Sequence, residues 1–356
     1  VNDKKKLPEV PPALPVELTA KRQAFLKRLV ENLWSHRDST SGEPSQAAAE
    51  VGDLVAELRE QGMFTEAASA ARWRVEFSEK LRPTDYESLA AAFNELALVQ
   101  SAQGDLPGAR ASLDRAISIQ EKHFDPDHPS FATTYSNLSA IQRDQGDLQG
   151  AQTSIERAIA IDLKHLASDH PNIAVSLSNL AVIQQATGDL EAAQSSMQKA
   201  LHIQSKHLPS DHPNIAISLG NLAIIQSAMG NPQEARACME RAIAIQQSHF
   251  DPNHPILATS FANLAMIQLD EESTPAARVS MERAISIMGK HYGPDHPHLA
   301  TALNNLAHIA VAEGKIPEAV TLWRKTHAIR LKALGPVHPS TKDVAAALRR
   351  YDPTWP

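Results

Sequence analysis

The chain has 356 residues, 42% of them hydrophobic but only 4% aromatic, with one cysteine and a formal net charge of -7. This balance offers no basic footprint for nucleic acid, and a single thiol, Cys238, excludes an internal disulfide framework and a cysteine-based zinc site. No apolar run reaches the roughly 20 residues that a membrane-spanning helix needs.

In chain order, residues 1–16 carry Lys4, Lys5 and Lys6 and then Pro8, Pro11, Pro12 and Pro15, which predicts an extended proline-rich tether. The chain starts at Val1 rather than Met, from which a preceding cleaved segment, anchor or domain is expected. Residues 17–45 follow as an N-terminal helix, at about 17–37 with Phe25, Leu26, Leu29, Val30, Leu33 and Trp34 on it, and a linker. From there a single unit recurs. His128, His170, His212, His254, His296 and His338, each followed by proline, stand 42 residues apart, so residues 88–338 are six head-to-tail copies. Gly62 and Ala67 stand 42 residues before Gly104 and Ala109, which marks residues 46–87 as a degenerate first copy. Residues 339–356 close the chain as a capping helix and tail.

One copy, residues 129–170, shows the unit. Proline after His128 suits the first position of a helix, with His128 or Asp127 as its cap. Ala132, Tyr135, Leu138 and Ile141 then recur at helical period until Gly146-Asp147 breaks the pattern. A second helix presents Ala151, Ile155, Ala158, Ile159 and Ile161 and ends near Lys164-His165, where cations suit a helix C-terminus. Turn glycines recur at Gly104, Gly146, Gly188, Gly230 and Gly314, with Glu272 the exception. Alanine recurs in two second-helix columns, from Ala109 to Ala319 and from Ala116 to Ala284, because larger side chains would push the helices apart. The expectation is an all-α solenoid of antiparallel helix pairs without strands, since each pair buries its apolar face only by stacking on the next.

The small residue, Gly-Asp turn and paired alanines resemble the tetratricopeptide repeat. The 42-residue period and the phrases LNNLA, RAISI and GPDHP resemble the kinesin-light-chain variety, over about residues 46–350. The resemblance implies a right-handed superhelical solenoid whose first helices line a concave groove. It places Asn137, Asn179, Asn221, Asn263 and Asn305 in that groove, with Glu95 in the earlier copy. An amide supplies both a donor and an acceptor, so it pairs with a peptide unit of any sequence; the bland alternative is that it ties adjacent repeats together. One turn on, Leu98, Ala140, Val182, Ile224, Met266 and His308 form an apolar, variable stripe suited to an extended peptide or a short helix. The carboxylate clamp of chaperone-tail binders would need lysine four residues before each Asn. Thr133, Val175, Ile217, Thr259 and Thr301 stand there instead.

Two polar columns have structural readings. Gln100, Gln142, Gln184, Gln226 and Gln268, with Ala310 last, are expected to form a ladder bonding repeat to repeat. The HP histidines and the column from His123 to His291 read as caps and packing rather than metal ligands. The nearby Asp column becomes Asn253 and Val337 while the HP pair persists. No nucleophile elbow, phosphate loop or paired catalytic carboxylate is present. The sequence thus predicts a non-catalytic, cofactor-free and metal-free scaffold, placed in the cytoplasm by its lone thiol. It would bind a protein or peptide through Asn137, Asn179, Asn221, Asn263, Asn305, Val182, Ile224 and Met266. Three other readings stay open: the sensor half of a larger signalling protein, a self-assembling structural array that associates with itself, and a metal-responsive scaffold.

Overall fold

The computed structural model describes residue 24 and residues 44–80, 85–294 and 296–355. The expected proline-rich tether, all but residue 24 of the expected N-terminal helix, and Asp295 lie outside these residues. Fifteen α-helices and no strands occur among them. The chain divides into two compact units, residues 1–187 and 188–356.

The first unit contains α1 (Pro44–Glu60), α2 (Phe64–Lys80), α3 (Tyr86–Ala102), α4 (Leu106–His123), α5 (Ser130–Asp144), α6 (Leu148–His165) and α7 (Pro171–Thr187). The second contains α8 (Leu190–His207), α9 (Pro213–Ala228), α10 (Pro232–His249), α11 (Pro255–Asp270), α12 (Thr274–Tyr292), α13 (Pro297–Ala312), α14 (Ile316–Leu334) and α15 (Pro339–Tyr351). Within each unit a first helix packs on its own second helix, and the second on the next first helix. Successive first helices also touch, α3 with α5 and α5 with α7, then α9 with α11 and α11 with α13.

The turn inside each pair explains its glycine. At 103–105 the chain reverses through Gly104 at φ 80°, and the Asp105 N–H donates back to the Gln100 carbonyl at 2.9 Å. A left-handed residue followed by this long return bond ends a helix while satisfying its last carbonyls. Glu272 holds the same conformation at φ 60°, the only non-glycine with positive φ among the described residues. Asp105 and Asp147 then cap the next helices, their carboxylates accepting from the Gly108 and Gly150 N–H groups at 2.9 Å.

The alanine columns are the seam. Ala109, Ala151, Ala193, Ala235, Ala277 and Ala319 are fully buried, as are Ala116, Ala158, Ala200, Ala242 and Ala284. With so few aromatics, burial is spread over many aliphatic side chains, and each repeat closes only against its neighbours. The terminal helix α15 lays Val344 and Leu348 against Trp323, leaving the polar face of α15 outward.

Candidate peptide-binding face

On the first helices, positions spaced i, i+4 and i+7 fall on one face. In the first unit these are Thr133, Asn137 and Ala140 on α5, and Val175, Asn179 and Val182 on α7. In the second they are Ile217, Asn221 and Ile224 on α9, Thr259, Asn263 and Met266 on α11, and Thr301, Asn305 and His308 on α13. All five asparagines are half-buried, as are Val182, Ile224 and Met266. Their neighbours in sequence explain this: Leu180 and Ala181, or Leu222 and Ala223, are buried and hold the backbone down.

The asparagines are not equivalent. Asn137 donates to the Asn94 side-chain oxygen at 3.0 Å, and buried Asn94 donates to Thr134 Oγ1 at 2.8 Å and to the Ala90 carbonyl at 3.1 Å. Here the amide does tie one repeat to the next. Asn179, Asn221, Asn263 and Asn305 make no side-chain hydrogen bond among the described residues. In the earlier copy Glu95 occupies the column and pairs with the buried guanidinium of Arg74. Gly52 leaves room for that pair, since a Cβ there would stand 2.8 Å from Glu95 Oε1.

The position four residues before each Asn is exposed in every copy and never charged. Val175 is 54% and Ile217 49% exposed, unusual for branched aliphatic residues on a helix whose neighbours are packed. The sequence marked them only as non-cationic; the signal available was that they interrupt a threonine column. His308, at the last place of the stripe, sets its ring edge-on to Trp323 at 5.5 Å, and desolvation there lowers its pKa from the ordinary histidine value.

The glutamine column corrects the expectation of a repeat-to-repeat ladder. Gln100, Gln142 and Gln268 each accept from a serine 12 residues on, across the two helices of their own repeat. Ser112 Oγ donates to Gln100 Oε1 at 2.7 Å, Ser154 to Gln142 at 2.7 Å and Ser280 to Gln268 at 2.8 Å. Cys238 replaces the serine opposite Gln226, whose Oε1 is buried without a partner. Burial raises the Cys238 thiol's pKa above its ordinary value, which disfavours the reactive thiolate.

The HP histidines act as helix caps. Nδ1 of His170, His212, His254, His296 and His338 accepts the N–H two residues on, at 3.1–3.3 Å. Rings before the turn brace some of them, with Phe124 stacked on His128 at 4.4 Å and Tyr292 on His296 at 4.4 Å. Of the second column, His165 Nε2 bonds the Asp127 carbonyl oxygen at 2.6 Å. Among the described residues no group of three or more His, Cys, Asp or Glu side chains is placed to hold a metal ion.

Paired helices, a left-handed residue in each intrapair turn and alanine seams define a helical repeat protein. The model of the Tetratricopeptide repeat family matches residues 88–164, 131–206, 172–248, 214–290 and 256–332. The chain belongs to that family, in its kinesin-light-chain-like form. A solved Podospora anserina protein with nearly identical TPR-like repeats of kinesin-light-chain type is 30% identical, at a TM-score of 0.51 over 58% of this chain and 98% of that one. BtubC (BKLC) from P. vanneervenii is 22% identical with a TM-score of 0.57, covering 67% of this chain and 96% of that one. A tetratricopeptide repeat protein from Parabacteroides merdae, 14% identical with a TM-score of 0.55, covers 84% of this chain and 97% of that one. These last two share the fold. No curated protein matches the chain. As a repeat protein of this family the chain is a protein-interaction scaffold, and no described helix is long and apolar enough to cross a membrane.

Proposed function

We propose that the chain is a non-catalytic scaffold that grips an extended peptide segment or short helix along the first-helix stripe. The observation that carries this reading is the set of unpaired amides, Asn179, Asn221, Asn263 and Asn305, each half-buried beside an uncharged contact. Asparagine is an indifferent helix former, and a side chain with no internal bond gains nothing for the fold by recurring there. An amide in that position costs no internal hydrogen bond when it turns to a peptide unit, and it satisfies donor and acceptor together. Val182, Ile224 and Met266 supply apolar contact beside it, and Val175 and Ile217 extend that contact by one turn.

Because no stripe position from α7 to α13 named above is charged, affinity would come from backbone pairing and apolar burial rather than from steering. A terminal carboxylate has no cation to meet at the clamp position. The net charge of -7 disfavours nucleic acid as the partner. The free thiol of Cys238 suits a reducing compartment, and the reading places the protein in the cytoplasm.

The test is affinity capture with wild type beside a variant carrying Asn179→Ala, Asn221→Ala and Asn263→Ala, with helicity checked by circular dichroism. The reading expects unchanged helicity and loss of the captured partner. Equal capture by both proteins refutes it.

A further inference from the structure

A second contact surface lies in the second unit on the other side of α9. Leu219 and Asn221 are two residues apart, about 200° around the helix, so Leu219 faces away from the stripe. There Leu201 of α8, Ile215 and Leu219 of α9 and Arg241 of α10 surround an open cavity of about 350 Å³, with His202 and Ser205 at its rim.

The first unit shows what fills this place when the repeat supplies its own side chains. The columns of Ile215, Leu219 and Arg241 are, 84 residues earlier, Phe131, Tyr135 and Arg157. Phe131 and Tyr135 stack at 5.8 Å between ring centroids, and the Arg157 guanidinium lies over the Tyr135 ring at 4.4 Å from its centroid. Glu121, in the column of Ser205, is close enough to act on Tyr135 electrostatically. At this place in the second unit both rings have become aliphatic, as Ile215 and Leu219, and the carboxylate has become the Ser205 hydroxyl. The lining stays apolar at Leu201, Ile215 and Leu219, and Arg241 still lines the cavity. Nor is that cation neutralised: Gln198 lines the cavity where Glu156, Glu240 and Glu282 stand in other copies, and Arg241 forms no salt bridge among the described residues.

We infer that this notch is a docking site for an aromatic side chain, of tyrosine or phenylalanine type, presented by a partner protein. The electron-rich ring face complements the unneutralised guanidinium of Arg241, and the ring edge meets Leu201, Ile215 and Leu219. A desolvated cation–π contact of this kind is worth about a tenfold change in affinity. The site is independent of the asparagine stripe, so the two readings stand or fall separately.

The test uses the full chain with methyl-labelled isoleucine and leucine, titrated with acetyl-Gly-Tyr-Gly-amide and with the matching Ala peptide. The Tyr peptide should shift the Ile215 and Leu219 methyl resonances by ring current while the Ala peptide leaves them in place. Leu219→Tyr plugs the notch with the ring that Tyr135 already supplies in the first unit, and should abolish the shifts while keeping the thermal midpoint. Arg241→Gln, a surface change that leaves packing alone, should weaken binding roughly tenfold. Absence of Tyr-dependent shifts at those methyls overturns the inference, as do equal shifts in Leu219→Tyr or unchanged affinity in Arg241→Gln.

Discussion

Replacing Cys238 by serine should stabilise the second unit, although the site is largely shielded and the change adds polarity. In three sister repeats the corresponding serine donates to its glutamine at 2.7–2.8 Å, whereas Gln226 Oε1 is buried with no donor. A net intramolecular hydrogen bond contributes about 0.5–1.5 kcal/mol, and a buried unpaired acceptor costs about 1–3 kcal/mol. Exchange of the sulfur for a less apolar hydroxyl offsets part of that gain, which leaves about 1 kcal/mol in favour of Cys238→Ser. The assay is a double-mutant cycle with Gln226→Leu, read by urea unfolding and by amide exchange in α9 and α10. In the wild-type background Cys238→Ser should slow exchange there by about fivefold, the equivalent of that energy. In the Gln226→Leu background the same serine has no acceptor and should destabilise. The last repeat already shows the apolar form of the pair, with Ala310 opposite Leu322. Equal effects of Cys238→Ser in the two backgrounds would refute the pairing argument.

Other outcomes follow from backbone geometry and charge. Glu272→Gly should stabilise by about 0.5–1 kcal/mol, since glycine relieves the cost of a side chain at positive φ; thermal unfolding would show a raised midpoint. Gly220→Ala in α9 should give a similar gain, because a Cβ there meets nothing within 4 Å. Arg278 of α12 donates to Glu313 at 2.8 and 2.9 Å through Nε and to Glu318 at 2.8 and 3.0 Å. Hydrogen bonding to Arg278, with Lys315 adding to it, holds the Glu313 carboxyl below its ordinary pKa. A depressed folded-state value means the contribution is complete above the ordinary carboxylate pKa and is lost as pH falls through the folded one. Melting curves taken towards acid pH should therefore fall less steeply for Arg278→Met than for wild type, and parallel curves would contradict this.

The parts of the molecule legible in the sequence were those repeated with one meaning. Each turn glycine adopts positive φ, each alanine of the two seams is fully buried, and the HP histidines cap helices as their proline neighbours suggested. Pairings across helices were harder, because a column shows that a residue recurs without showing what it faces. The glutamines were read as bonding between repeats, and the signal that would have corrected this was the joint change of Gln and Ser columns to Ala310 and Leu322. Exposure was hidden too: Val175 and Ile217 were marked in the sequence only as lacking the clamp's positive charge, and they stand about half exposed on the stripe. The notch beside Leu219 was invisible for a third reason. A tyrosine-to-leucine change between copies looks conservative until the arginine lying over the ring is seen.

The most direct test of the account is site-specific photo-crosslinking of the full chain to the partner isolated by the capture experiment. Benzoylphenylalanine would replace Ile217 on the first-helix stripe or, as a control, Val279 on α12, which is 69% exposed. Peptide binding along the asparagine stripe predicts a crosslink from position 217 that the three Asn→Ala changes remove, and none from position 279. Crosslinking from 279 alone, or from 217 with undiminished yield after the asparagines are replaced, would contradict it.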